Sequence, residues 1–531
     1  MTAPGRPGRR RLVVAVVGVI LLLCIGGAWA LASPLGSSPD EQFHLGSIWC
    51  STTAGSSGCV RTGVSAGTGL EQATVPFELA KQSSACYAFK PETSAACQIE
   101  RPDALVSTAS QANDGLYPGG FYELMGLLVS SNVTGSVLAM RLLSWVLCVG
   151  MLAAAAAVSM TGARRALVLA VLATSVPMSV YLFASVNPSG MSIAAIGALW
   201  AAASTYMTPT VQGRRLVWSG VLAGVVTLVA LTTRSDVGVF AVLTVGAVWL
   251  LNRGHRNLRN RRALLLAAIA LSGLIGVALG SGTGDVAAGL ISHPDRGFGD
   301  VLSFDLVHLP QIMLGGLGLA NLGWADTALP EVVWVPMLMA ATSLVTIGLR
   351  RAESLRAWCV GLLLVALGAL PLYVLLAGRN YVGEIVQARY FLPLLAVIVG
   401  TALLPDRGRR APVFGRTHMI VIAAAISLAN SIALHANIRR YVTGTDVRGF
   451  DLDHGREWWW PRAPSPTVVW LVGTVAFAAV CTWLMLTFGA TRAVGGPDLQ
   501  CGELRSTGSA DPVALPDGET VSDRSALPST I

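Results

Sequence analysis

Charged residues are scarce in this chain of 531 residues, and lysine is almost missing. Asp, Glu, Lys and Arg together make up 12% of the sequence and hydrophobic residues 53%, whereas charged residues are about 25% of an ordinary soluble protein. Of 37 basic residues only two, Lys81 and Lys90, are lysines. This composition excludes a soluble enzyme, a disordered scaffold and a nucleic-acid-binding domain. The net charge of +8 therefore needs an explanation other than a polyanionic partner.

Long apolar segments recur along the chain. A transmembrane helix needs about 20 mostly apolar residues to cross about 30 Å of hydrocarbon. The pattern therefore predicts an all-α integral membrane protein with about twelve membrane-spanning helices. The predicted spans lie near 12–33, 136–158, 166–185, 189–207, 216–233, 237–252, 263–281, 331–349, 357–377, 389–404, 418–436 and 467–489.

Arginine clusters orient these spans, because short loops rich in Lys and Arg stay in the cytoplasm. Alternate connections hold 20 of the 37 basic residues and only two acids, Glu353 and Asp406. The basic segments are 6–11, 164–165, 214–215, 253–262, 350–356 and 406–416. This pattern predicts that both termini are cytoplasmic, and it explains the positive net charge as membrane topology.

The remaining connections are predicted to lie on the outer side. They comprise a large first loop, about 34–135, and three medium loops, about 282–330, 378–388 and 437–466. The chain thus divides into a cytoplasmic N-terminus (1–11), a polytopic transmembrane domain (12–489) and a Gly/Pro/Ser/Asp-rich tail (490–531) that is predicted to be disordered and cytoplasmic.

The first span has two interpretations. Ala28-Trp29-Ala30 resembles the cleavage site of a signal peptide. The apolar run of about 20 residues is longer than the 7–15 residues of a signal peptide, however, which favours a retained anchor.

Four of the nine cysteines fall in the first outer loop, where oxidising conditions permit disulfides. They allow three pairings, of which Cys50–Cys59 with Cys86–Cys97 is one. A four-thiolate zinc site is the alternative. The spacings of 9, 27 and 11 residues lack the C-x2-C knuckle that is typical of zinc sites, so the sequence favours disulfides.

A polar motif, S-P-D-E-Q-F-H, follows the first span at 38–44. Ser38 and Glu41 have the spacing of a capping box at a helix N-terminus. Asp40 and His44 have no part in that box, and their separation of four residues places them on one helical face. A carboxylate and an imidazole at the mouth of a membrane bundle suit general-base catalysis or metal coordination.

Several arginines lie at the predicted outer ends of spans, where a charge is costly unless it is paired, reaches the interface or binds an anion. Arg141 is either an interface residue or a phosphate ligand. Arg389, beside Tyr390, has the chemistry to hold a lipid phosphate bidentately, with a position at the interface as the alternative. Arg234 and Asp236 are interpreted as neutralising one another.

Aromatic and amide residues supply the remaining candidates. Tyr117 opens a rigid aromatic turn at 117–122, and Asn187 opens an N-P-S-G turn. Trp324 beside Asp326 is either a membrane anchor or a sugar-stacking platform with a hydroxyl acceptor. The D-x-D pattern at 451–453 is too short to be specific and is interpreted as a solvated loop.

These motifs, taken in order, resemble those of a family of uncharacterised, multi-spanning bacterial membrane proteins that looks like a branch of the GT-C glycosyltransferases. The resemblance covers about residues 10–405. It rests on P-D-E-x-x-H at 39–44, the aromatic turn at 117–122, R-L-L-S at 141–144, N-P at 187–188, G-W-x-D-T-x-L-P at 323–330 and Q-A-R-Y-F-L-P at 387–393.

The resemblance implies a GT-C-like enzyme of the bacterial plasma membrane. Such an enzyme transfers a sugar from a polyprenyl-phosphate donor to an envelope glycan or lipid acceptor on the outer side. Asp40 would take the proton of the acceptor hydroxyl, Glu41 and His44 would position it, and Arg389 would hold the departing phosphate. The other substrate-binding candidates are Tyr117, Arg141, Asn187, Trp324, Asp326 and Tyr390.

Cofactor use and function class stay open at the level of sequence. No cofactor is fixed; a divalent cation held by Asp40 and Glu41 is one option. A secondary transporter with twelve spans and a non-catalytic protein of envelope-polymer assembly are the alternative functions.

Overall fold

The computed structural model describes residues 7–51, 53, 59–64, 71–98, 104–109, 117–253, 256–279, 292–350, 352–405, 414–460 and 462–489. These residues are mostly helical. The segment 490–531, predicted to be a disordered tail, lies outside the described residues.

Seventeen α-helices are found in the described part of the chain. Short 3-10 or π turns at Phe77–Leu79, Ala95–Cys97, Gly315–Leu319, Ala388–Phe391 and Met485–Gly489 connect or extend them. The helices are α1 (Pro7–Leu31), α2 (Glu41–Trp49), α3 (Lys81–Ser84), α4 (Gly120–Gly126), α5 (Val133–Val158), α6 (Thr161–Thr174), α7 (Met178–Phe183), α8 (Pro188–Tyr206), α9 (Gly213–Thr233), α10 (Val237–Leu251), α11 (Arg256–Leu279), α12 (Phe298–Leu314), α13 (Glu331–Leu349), α14 (Ser354–Gly378), α15 (Leu392–Leu403), α16 (Arg416–Val442) and α17 (Pro466–Leu484).

Nine helices in the described residues are long and apolar enough to cross a membrane, which confirms an all-α membrane protein. Eight of them, α1, α5, α9, α11, α13, α14, α16 and α17, coincide with predicted spans. The ninth is α12 with its π turn, which lies inside the loop predicted at 282–330. The other four predicted spans correspond to shorter or less apolar helices.

The span predicted over 166–185 is divided between α6 and α7. Helix α6 ends at Thr174, and α7 begins at Met178. Pro177 lies between them; it has no N–H to donate to a helix and restricts the residue before it. The two helices are therefore separate pieces of one apolar segment.

Helix α8 is the central helix of the bundle. Each residue from Pro188 to Thr205 is buried, and α8 packs against α5, α6, α9, α10 and α15. Many of its residues are Ala, Gly or Ser, which allow neighbouring helices to approach closely. Its N-terminus is fixed by Asn187, whose side chain accepts a hydrogen bond from the Ser189 N–H at 2.8 Å.

The first outer loop contains a three-stranded antiparallel sheet of β1 (Val60–Val64), β2 (Glu71–Pro76) and β3 (Leu105–Ala109), in the order β1-β2-β3. Thr74 of β2 pairs with Val60 on one side and Ser107 on the other. The sheet, together with α2 to α4, forms the polar region that precedes α5.

Both pairs of loop cysteines lie at disulfide distance, 1.94 Å for Cys50–Cys59 and 2.15 Å for Cys86–Cys97. This confirms the disulfide prediction and identifies the pairing. The four sulfurs are bonded in pairs, so they do not form a four-thiolate zinc site.

The last outer loop packs on the segment closed by Cys86–Cys97. The Thr445 N–H donates to the Pro91 carbonyl at 2.9 Å, and the Ser94 hydroxyl donates to the Glu457 carboxylate. Arg440, near the end of α16, donates to the carbonyls of Tyr87 and Thr93 at 2.8 and 2.7 Å. The first and last outer loops therefore form one polar layer.

Candidate functional site

A fully buried ion pair, Glu41–Arg141, anchors the segment between α1 and α2. Arg141 Nε lies 2.8 Å from Glu41 Oε1, and its Nη2 lies 2.5 Å from Oε2. The remaining guanidinium N–H groups donate to the carbonyls of Ala30, Ser33 and Pro34 at 2.7–2.8 Å. Each of the five N–H donors of Arg141 thus has a partner, and none is left for a phosphate.

The carboxylate of Glu41 is likewise occupied by hydrogen bonds. It also accepts the backbone N–H groups of Gly36 and Val186, at 3.1 and 3.3 Å. The capping-box prediction was therefore wrong: Glu41 reaches toward Arg141, and the N-cap of α2 is Asp40, which caps without its side chain. This geometry favours a structural role for Glu41 and Arg141 over the predicted contacts with substrate.

The carboxylate of Asp40 is partly exposed. Its backbone adopts the left-handed conformation, with φ 56° and ψ 12°, which is uncommon for a residue with a side chain. The side chain is 43% exposed, and Oδ2 lies 2.5 Å from Arg389 Nη2. The Asn187 amide donates to the Pro39 carbonyl at 2.7 Å. Asn187, predicted to bind substrate, thus supports the backbone that carries Asp40.

Charge keeps Asp40 ionised. Burial raises the pKa of a carboxyl group, but the adjoining Arg389 guanidinium outweighs that effect and holds the pKa of Asp40 below its usual value of 3.8. Asp40 is therefore a carboxylate at neutral pH, in the protonation state that a general base requires.

His44 is buried in an aromatic cluster next to Asp40. Its Nδ1 lies 3.0 Å from the Tyr122 hydroxyl, and the rings of Phe43, Tyr117 and Phe121 surround the imidazole. Burial lowers the pKa of His44 to about 3, although the neighbouring Asp40 charge opposes the shift. His44 is thus a neutral hydrogen-bonding group at neutral pH.

Two arginines meet at the ring of Tyr390. The Cζ atoms of Arg389 and Arg234 lie 5.2 and 4.8 Å from the ring centre, and Arg234 is 5.6 Å from the ring of Tyr117. Arg234 binds Asp236 bidentately, at 2.9 and 2.6 Å, as the sequence suggested. Residue spacing alone did not predict that Arg234 lies beside Arg389. The signal that could have indicated this contact is the position of Arg234 at the predicted outer end of α9, because Arg389 was also predicted to lie at the outer end of a span.

A small cavity opens between these two arginines. Its volume is about 200 Å³, including space open to solvent. Arg389 is 9% exposed, and its Nε has no hydrogen-bond partner in the part of the chain that the structure describes. The lining residues are Ser189, Ser192, Arg234, Asp236, Val237, Phe240, Arg389, Tyr390 and Pro393.

Trp324 and Asp326 belong to a different cluster, below the Cys86–Cys97 segment. Asp326 Oδ2 lies 2.7 Å from Arg440 Nη2 in a buried ion pair. Trp324 is 9% exposed and packs edge-on against Phe89. Burial and pairing make this a structural cluster, not the open sugar platform considered above.

The residues proposed for a divalent cation do not fit one. Both oxygens of Glu41 are bonded to Arg141 and to backbone N–H groups, and Asp40 is paired with Arg389. Across the described ranges, no three His, Cys, Asp or Glu side chains form a group that could hold a metal ion. We therefore derive no chemical step through a metal.

Comparison with known proteins identifies a family that the chain matches. The model of a family described as "Predicted membrane protein (DUF2142)" matches residues 23–398, a range that includes the Asp40, Arg234 and Arg389 region. No curated protein and no solved structure matches the chain.

Proposed function

We propose that this chain, which belongs to the DUF2142 family of predicted membrane proteins, is a glycosyltransferase that uses a polyprenyl-phosphate sugar as its donor. The acceptor is an envelope glycan or lipid on the outer side of a bacterial plasma membrane. The observation that carries the proposal is the Asp40–Arg389 pair, 2.5 Å apart at the outer end of the bundle. It brings together a carboxylate that can accept a proton and a cation that can stabilise a leaving phosphate.

The chemistry uses these two groups in one displacement. The acceptor hydroxyl oxygen attacks the anomeric carbon of the donor, and the bond from that carbon to the phosphate oxygen breaks, with its electron pair going to the phosphate. The hydroxyl proton passes to Asp40. The polyprenyl phosphate therefore gains one negative charge as Asp40 loses one. Arg389, which contacts Asp40 at the start, is placed to compensate the new charge on the phosphate.

The surrounding residues have supporting roles in this proposal. Asn187 fixes the Pro39 carbonyl, and the Glu41–Arg141 pair fixes the start of α2, so the Asp40 backbone is held in its left-handed conformation. His44, neutral and bonded to Tyr122, keeps the adjacent aromatic wall in place. Tyr117 and Tyr390 face the arginine side chains and form the apolar boundary of the site.

Twelve crossings with both termini in the cytoplasm are part of the proposal. The spans that the arginine pattern orients agree with the observed helices if α12 stays on the outer side and if α6 and α7 together cross the membrane once. The outer loops then lie on the same side as Asp40, where a lipid-linked sugar donor is available and a cytoplasmic nucleotide sugar is not.

The test is sugar transfer by purified full-length protein from a polyprenyl-phosphate sugar donor. We expect Asp40→Asn to abolish transfer, because the amide cannot accept the hydroxyl proton. Asp453→Asn is the matched control. Asp453 also pairs with an arginine, Arg456, and is partly exposed like Asp40, but neither residue lines the cavity, so that variant is expected to keep wild-type activity.

Full activity of Asp40→Asn, with an unchanged thermal unfolding midpoint, would refute the general-base assignment. Solute transport into liposomes that contain no lipid-linked sugar would instead favour the transporter.

A further inference from the structure

We propose that the cavity beside Tyr390 is a phosphate subsite in which Arg234 and Arg389 together bind the phosphate headgroup of a lipid, and that the bound phosphate displaces Asp40 from Arg389. The proposal rests on the proposed function for its chemistry. It adds a second binding residue, Arg234, and an order of events to that function.

The cavity has the charge for a phosphate headgroup, and part of its space of about 200 Å³ is open to solvent. The charged groups in its lining are Arg234, Arg389 and Asp236, which leaves one net positive charge. The Ser189 hydroxyl accepts a hydrogen bond from Arg234 and can still donate its own hydrogen to a phosphate oxygen.

Arg234 is held in place for this role. Asp236 binds its Nε and Nη2, and Nη1 lies 3.0 Å from Ser189 Oγ. Three fixed contacts and the Tyr390 ring leave the guanidinium little freedom, so little entropy is lost when an anion binds. Arg234 thus acts as a preorganised cation on one wall of the cavity.

Arg389 is the incompletely satisfied member of the pair. Its Nη2 contacts Asp40, but its Nε is buried and has no partner among the described residues. A buried donor without a hydrogen bond is unfavourable, and a phosphate has enough acceptor oxygens to satisfy it. The contact with Asp40 is the replaceable one, because the Asp40 side chain is 43% exposed and can be solvated by water.

Binding and activation are thereby coupled. When the phosphate takes the Arg389 N–H groups, Asp40 loses its hydrogen-bonded cation and becomes a stronger base. Asp40 then faces the acceptor hydroxyl only after the donor headgroup is in position. An empty site keeps its carboxylate paired with Arg389.

The probe is farnesyl phosphate, a short polyprenyl monophosphate without sugar, titrated into purified full-length protein in detergent. Farnesol and inorganic phosphate serve as separate arms. We expect Arg234→Gln and Arg389→Gln to weaken farnesyl phosphate binding at least 10-fold, and Asp40→Asn to tighten it about 3- to 10-fold because a competing anion is removed. Arg456→Gln, an exposed outer-loop arginine, is the matched control and is expected to bind as wild type does.

Unchanged or weaker binding by Asp40→Asn would overturn the displacement, and unchanged binding by Arg234→Gln would overturn the two-arginine subsite. Farnesol binding equal to that of farnesyl phosphate would show an apolar site instead, and equal binding of inorganic phosphate would assign the site to a free anion. Thermal unfolding midpoints identify a variant that has failed to fold; in that case Arg234→Lys replaces Arg234→Gln, with weakened binding again expected because Lys cannot bind Asp236 bidentately.

Because this assay contains neither a sugar nor an acceptor, its outcome is separate from that of the transfer assay. Binding without transfer would leave the subsite and refute the transferase. If Arg234→Gln retains sugar transfer and binds farnesyl phosphate as the wild type does, the subsite is refuted and the transferase stands.

Discussion

Among the described residues, Glu41 and Arg141 have only each other as a charged partner, in a fully buried ion pair. We expect Glu41→Gln to lower the free energy of unfolding by about 3–5 kcal/mol, because it leaves a buried guanidinium uncompensated. The measurement is thermal or denaturant unfolding in detergent. Glu384→Gln is the control: Glu384 pairs with Arg296 bidentately at 2.8 and 3.0 Å but is 34% exposed, so the expected loss is below about 1 kcal/mol. Equal losses would contradict the structural role of Glu41.

His44 makes stability depend on pH in a definite direction. Its pKa in the folded protein, about 3, lies below the usual 6.5, so the unfolded chain binds the proton first. The stability from neutral His44 is complete above about pH 6.5 and is lost progressively toward pH 3. At pH 5.5 the expected loss is about 1.4 kcal/mol. His44→Gln should remove this part of the pH dependence; parallel unfolding curves for the two proteins between pH 5.5 and 7.5 would show that the pKa of His44 is the same in the folded and the unfolded protein.

At the scale of helices, several arginines on the predicted cytoplasmic side close helix C-termini. Arg262 donates to the carbonyls of Tyr206, Thr208 and Val211 at 2.7–2.9 Å, and Arg164 donates to those at the end of α5. The last carbonyl groups of a helix lack partners within the helix, and its C-terminus carries partial negative charge. A guanidinium donates hydrogen bonds to these carbonyls and compensates that charge. The basic residues that orient the spans therefore also terminate them.

This double role predicts unequal effects of two arginine substitutions. We expect Arg262→Gln to lower the free energy of unfolding by about 1.5–3 kcal/mol, because hydrogen bonds from a charged donor to the end of α8 are lost. Arg214→Gln removes the same charge from an exposed position in the first turn of α9 and should change stability by less than about 0.5 kcal/mol. Similar losses in both variants would mean that the change in net charge, and not the loss of helix capping, lowers the free energy of unfolding.

Hydropathy predicted where the helices lie far better than it predicted which residues contact one another. The spans expected at 216–233 and 467–489 appear as Gly213–Thr233 and Pro466–Gly489, because an apolar run must be helical in lipid. Helix α12 was missed, since Asp300, Asp305 and His308 reduce its apolar character. The pairing of Glu41 with Arg141, 100 residues later, also was not predictable, because spacing carries no information on contacts between helices.

The candidate site was predicted in part. Asp40 and Arg389 were linked through the order and sidedness of motifs, and they are indeed in contact. Arg234 was interpreted only as the partner of Asp236, because its second neighbours, Tyr117 and Tyr390, are supplied by distant segments. Trp324 and Asp326 were grouped with the site for their chemistry, but the packing of the two outer loops buries them elsewhere.

For the whole molecule, the course of α12 determines how many times the chain crosses the membrane. Before α12, the His293 N–H donates to the Gly378 carbonyl at 3.0 Å, and Arg296 pairs with Glu384. After α12, Gly315 packs directly against Ala388. Residues 378–388 are one short connection between α14 and α15, so both ends of α12 lie beside the same connection. We infer that α12 enters and leaves on the outer side without crossing.

Cysteine labelling tests this topology in intact cells with a membrane-impermeant maleimide. Cys501, in the segment predicted to be a cytoplasmic tail, is replaced by serine so that it does not react. We expect Asp295→Cys and Ala328→Cys, at exposed positions on either side of α12, both to react from outside. Ser354→Cys, exposed at the start of α14, should react only after permeabilisation, because it lies within the predicted cytoplasmic connection 350–356. If α12 crossed the membrane, only one of the first two positions would react from outside. Reaction of Ser354→Cys in intact cells, with both others protected, would mean that the orientation is reversed and that Asp40 faces the cytoplasm.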